Sequence, residues 1–162
     1  MTQDQLYDFC TPLETAIVTV FEAEEFVIWT PLRDPEFQKE RTRVEAVVMP
    51  GASLGFLLPE YGKPARCGFL REKARMANLS VLVVTEPSIT VHRAFVARTL
   101  YVLDTLGWAM NETDDMPYHK VQHVKCNGGS LTHKPGDGSY QTSLDCEIKF
   151  SVLETAWADL ET

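Results

Sequence analysis

From Leu144 to Val152 every second residue is apolar: Leu144, Cys146, Ile148, Phe150 and Val152 alternate with Asp145, Glu147, Lys149 and Ser151. A repeat of two separates oily from charged side chains only in an extended strand, where successive residues point to opposite faces. On a helix the same residues would scatter around the axis. The segment therefore predicts a strand with one buried face, and that face needs helices to cover it.

Two segments have the right periodicity to do so. After Thr-Pro-Leu-Glu at positions 11–14, Leu13, Ala16, Ile17, Val20 and Phe21 recur at helical spacing. Thr11 is placed to cap, Pro12 suits a first turn, and Glu14 completes a capping box, so a helix over about 12–23 is expected. Thr2 and Gln5 have the same spacing and predict a short preceding turn carrying Leu6 and Phe9. Later, Ser88 offers a cap to a stripe of Val91, Ala94, Phe95, Val102, Leu103 and Leu106 that runs to Gly107. That predicts a helix of about 18 to 20 residues, roughly 30 Å long, with Arg93, Arg98 and Asp104 facing solvent.

Further strands are expected at 25–30, at 43–49 before the Pro50-Gly51 turn signal, at 79–85 and at 118–126. Leu79 to Thr85 is nearly all apolar, which predicts a central strand covered on both faces. Residues 51–78 read as a long hairpin or an irregular excursion. Residues 127–139 hold four glycines and one proline, and predict a loop that brings Cys126 opposite the region of Tyr140. So long a loop is uncommon in a compact domain unless it has a function or is disordered. Together these elements predict one α+β domain over residues 1–162, an antiparallel or mixed sheet with two main helices packed on one face and an extended loop or hairpin.

The 162 residues carry a formal net charge of −8, distributed as −6, +3 and −5 over residues 1–32, 33–93 and 94–162. No basic stripe is present, which argues against direct binding to nucleic acid. Cys10, Cys67, Cys126 and Cys146 lie far apart with no metal-binding spacing, and the opening residues lack a basic-then-apolar leader, so free thiols in a reducing cytoplasm are expected. No apolar run is long enough to span a bilayer.

Catalytic signals are weak. His119 and His123 are four apart, but on a strand that separation is about 13 Å, too far for one zinc ion. They read instead as a surface or interface pair. Gly51, Ser53 and Gly55 match the letters of a nucleophile elbow, but Pro59 and Gly62 deny it the helix that must follow. Cys10 and Cys146 fall on apolar faces as core fillers, whereas Cys67 lies among Arg66 and Arg71 and reads as exposed. No cofactor fingerprint is present, and no enzyme activity is expected.

TPLETAIVTVF, TRVEAVVMPG, LSVLVVTE, HRAFVARTLYVL, MPYHKVQHV and DGSYQTSLDCEIKFSVLETAW occur in this order. The pattern resembles the tail terminator, or tail completion, proteins of long-tailed bacteriophages, over most of the chain. The resemblance implies a structural virion protein: a homo-oligomeric ring, usually a hexamer, that caps the tail tube, ends its growth and presents a surface to the head. It implies partners in the major tail tube protein and a head-completion or neck protein, with DNA met only in passage through the lumen. The acidic charge would then repel that DNA. No catalytic residue carries over. The segment expected to make contacts is the loop, with Asn127, Gly128, Gly129, Leu131, His133, Lys134 and Asp137 as the candidate interaction residues. A neck or head-closure connector, an adaptor of a tail-derived secretion device, or a small enzyme built on His119, His123 or Ser53 are the alternative readings.

Overall fold

A computed structural model describes residues 2–32, 42–50, 73–134, 138–153, 155–156 and 159–160. Its helices are α1 (Gln3–Tyr7), α2 (Cys10–Ala23) and α3 (Ile89–Asn111), and its strands are β1 (Ile28–Trp29), β2 (Arg43–Pro50), β3 (Lys73–Thr85), β4 (His119–Lys134) and β5 (Ser139–Val152). The strands form one mixed sheet in the order β1-β2-β3-β5-β4. Among the described residues β1 and β2 run parallel and the other neighbouring strands antiparallel. This is the α+β architecture expected, with β3 at the centre.

The register explains the core. Val83, Val81 and Leu79 of β3 stand opposite Val44, Ala46 and Val48 of β2, and Val81 and Leu79 stand opposite Leu144 and Cys146 of β5. All are buried, and they pack with Leu13, Ile17 and Phe21 of α2 and Val102, Leu103 and Leu106 of α3 in one cluster. Burying each large aliphatic or aromatic side chain contributes about 1.5–3 kcal/mol. The second face of β3 is not sealed in the same way, since Asn78, Ser80 and Leu82 are only half-buried. The expectation of a strand covered on both faces over Leu79–Thr85 holds for Val84 and fails at Ser80 and Leu82. The β3 strand also starts earlier than expected, at Lys73, inside the segment 51–78 that read as an excursion, whose residues 51–72 lie outside the described residues.

Several boundaries differ from expectation for physical reasons. The Thr2 and Gln5 capping box forms as expected and opens α1, which buries Leu6. At α2 the cap residue is Phe9, with no side-chain cap, and Thr11 lies inside the helix. Glu14 does not reach back to a cap. It is 5% exposed and accepts a 3.0 Å hydrogen bond from the Val48 backbone N–H.

The α3 helix extends past Gly107, which serves as a packing position and not as a helix end: a Cβ there would lie 3.3 Å from Val121 Cγ1 of β4. Its buried side is His92, Thr99, Val102, Leu103, Leu106 and Met110, whereas Val91 and Ala94 of the expected stripe are exposed. The α2 and α3 helices are tied together by Arg98. Its guanidinium donates to the Glu24 carbonyl at 3.3 Å and lies 4.9 Å from the centre of the Phe26 ring. Among the described residues no helix is long and apolar enough to cross a membrane.

Candidate interaction surface and buried polar sites

The expected loop after Cys126 is mostly strand. Residues 127–134 continue β4, and they pair with β5 from Gly129↔Leu144 to Lys134↔Ser139. Cys126 accordingly stands opposite Cys146, while His133 is the residue opposite Tyr140. Glycines signal a loop because they lack a side chain to pack, yet here they serve a bulge in the ladder between Cys126 and Gly129. Gly128 has φ +113, and a Cβ on Gly129 would collide with the Ser143 carbonyl and come within 2.6 Å of the Leu144 side chain. One glycine supplies a backbone conformation that other residues rarely adopt, and the other permits close strand approach.

The bulge divides β4 in two. Before it, Val121, Val124 and Cys126 face the core, and α3 covers them. Beyond it, Asn127, Gly128, Gly129 and Ser130 are exposed, and Leu131 is an exposed apolar side chain on the hairpin. His133 and Lys134 belong to this ladder, and Asp137 lies outside the described residues. Six of the seven candidate residues therefore share one β ribbon.

Both edges of the sheet are partly closed by side chains from the helices. Glu14 takes the Val48 N–H just beyond the end of β1. At the other edge Asn111, at the end of α3, donates to the Val121 carbonyl at 2.7 Å and accepts from the Val121 N–H at 2.9 Å. An edge strand left open is a template for pairing with another chain. Asn111 closes that template at Val121 and leaves the outer ribbon past the bulge beyond its reach.

The histidine pair does not converge. His119 stands opposite Val152 and is buried, whereas His123 stands opposite Lys149 and is exposed. An irregularity between Val121 and His123 turns the second ring to the other face. The surface-pair expectation is thus corrected for His119. Among the described residues neither ring nitrogen makes a well-formed hydrogen bond, the Leu6 backbone being only a weak polar neighbour, and the ring edge meets the Phe150 ring at 5.8 Å. Burial pushes its pKa down, against an upward pull from the Leu6 backbone and Asp8. Among the described residues no group of three His, Cys, Asp or Glu side chains could hold a metal ion. Ser53 and Cys67 lie outside the described residues.

Cys146 is buried as expected, and its thiol is pushed up to about 12, first by burial and then by Cys126 beside it. A thiol so held stays protonated at neutral pH and is a poor nucleophile. Cys10 is half-buried against the core, and burial raises its pKa, with Asp8 and Glu14 adding to the effect.

Sequence reasoning missed one polar site. His92 is fully enclosed, with Nδ1 2.6 Å from Thr85 Oγ1 and Nε2 2.6 Å from Thr142 Oγ1. The Thr85 hydroxyl donates to the Glu86 carbonyl, so the chain is satisfied when Nδ1–H donates to Thr85 and Nε2 accepts from Thr142. This relay pins the first turn of α3 to β3 and β5. Buried away from solvent, it holds the structure together. A signal was present: Thr142 continues the inward alternation of Leu144, and His92 lies seven residues before Thr99 on the buried side of α3.

Neither a scan of protein-family models nor a search of curated proteins finds a match to this chain.

Proposed function

We propose that this chain is a structural assembly protein of a long-tailed bacteriophage virion, a homo-oligomeric ring that caps the tail tube and forms the surface joining tail to head. The ordered run of segments that resembles tail terminators motivates the reading. The observation that carries it is the outer ribbon of β4 and β5, a glycine-bulged hairpin with exposed Leu131 whose edge lies past the reach of Asn111. A closed ring made of heterologous contacts needs such a projecting element on each copy to engage a different surface on the next.

The test is to mix the purified chain with cognate tail tubes and examine tube ends by electron microscopy. Rings at one end, with arrested tube growth, are expected. Leu131→Asp should abolish end binding while leaving the circular dichroism spectrum intact. Tubes that keep growing with bare ends would overturn the reading.

A further inference from the structure

The face of α3 turned away from the sheet is unusual for a 23-residue helix in an acidic protein. Only Arg93, Arg98 and Asp104 are charged among its acids and bases, and its exposed side carries Val91, Tyr101 at 66% exposure and Trp108 at 73%. Ala94, Ala97, Arg98 and Thr105 are exposed beside them. Positions 91, 94, 98, 101, 105 and 108 alternate steps of three and four, the spacing of a seam between two helices.

This seam is self-complementary about Tyr101. In two antiparallel copies of a helix crossing at one residue, positions equally far before and after it meet at the same level. Three steps from Tyr101, on either side, stand Arg98 and Asp104; seven steps away stand Ala94 and Trp108. At 1.5 Å per residue, the Arg98 of one copy then lies level with the oppositely charged Asp104 of the other. The largest side chain of the seam lies level with one of the smallest. Beside Tyr101 is a groove of about 290 Å³ lined by Glu24, Phe26, Ala97, Arg98, Tyr101 and Val102, open to receive the second copy's aromatic ring.

We infer that this face of α3 is a two-fold interface, occupied by the α3 helix of a second copy of this chain in antiparallel orientation. Charge favours this place for contact: copies carrying −8 each repel one another, and here an arginine meets an aspartate across a nearly uncharged seam. The contact uses α3, whereas the ring reading uses the β4–β5 ribbon, so the two stand or fall separately.

Sedimentation equilibrium of the full chain over micromolar concentrations tests the inference. A monomer–dimer equilibrium is expected. Trp108→Ala or Asp104→Arg should weaken it by about tenfold or more, and Arg98→Glu combined with Asp104→Arg should recover most of the loss, as only a direct charge pair does. Acrylamide quenching of Trp108 fluorescence should increase on dilution, with circular dichroism confirming the fold of each variant. A chain that stays monomeric to about 100 μM, where even a weak specific dimer with micromolar Kd would be populated, overturns the inference. So does a dimer or larger ring that ignores these substitutions and dissociates with Leu131→Asp.

Discussion

Among the described residues, three buried polar side chains contribute to how stability depends on pH. Glu14 sits in the core with its pKa raised, chiefly by burial and against the lowering effect of its bond from Val48. The folded chain then holds a proton where the unfolded chain has lost it, so stability falls as pH rises from the ordinary carboxylate value through the raised one. Glu14→Gln should keep an acceptor for Val48, remove that slope and equal or exceed the native chain near pH 7, whereas Glu14→Leu should cost about 1–3 kcal/mol by stranding the N–H. Urea titrations between pH 4 and 8 measure both. His119 and His92 act with the opposite sign. Burial lowers their pKa values, so the unfolded chain takes up protons first and stability is lost as pH falls below about 6.5 through the lowered values. Because the nitrogens of His119 make no well-formed hydrogen bond among the described residues, His119→Phe should flatten the acid limb at little cost at neutral pH; a drop of several kcal/mol at pH 7.5 would contradict this account. Glu14 was legible in the sequence only as a cap, because local spacing suggests a local partner and the actual partner is 34 residues away.

At the scale of elements, the helices and strands were readable wherever one face meets water and the other the core. The stripe of α2 and the alternation of β5 emerged as expected, with Leu13, Ala16, Ile17, Val20 and Phe21 buried on one side. The second half of β4 was not readable, since Asn127, Gly128 and Gly129 have the local preferences of a turn and their strand form depends on pairing with β5. Gly129→Ala tests this dependence. Its Cβ would strike the Ser143 carbonyl, so the outer ribbon should lose amide-exchange protection over Ser130–Lys134 and Ser139–Thr142 while α3 keeps its own. Equal protection in both would mean the bulge tolerates a side chain. The first turns of α3 were misread for a related reason: His92 and Thr99 are polar by composition, but hydrogen bonds between His92 and two threonines, one donated and one accepted, and from Thr99 to the Phe95 carbonyl let them face inward.

For the molecule as a whole, charge governs association. Each copy carries −8, so any contact between copies works against repulsion that salt screens over about 10 Å at 0.1 M. Self-association should therefore strengthen from about 20 mM to 500 mM salt, as read by light scattering, if apolar seams such as α3 or the β4–β5 ribbon dominate it; weakening over that range would point to attraction between charges instead. The sequence alone determined the α+β class, the two long helices and the buried face of β5, because hydrophobic periodicity is a local property with one structural solution. Only the tertiary structure decided that Glu14 and Asn111 close the sheet edges, that a bulge turns His123 away from His119, and that a glycine-rich segment is a strand. Those outcomes depend on groups distant in the chain, and no repeat within a short window encodes which of them will meet.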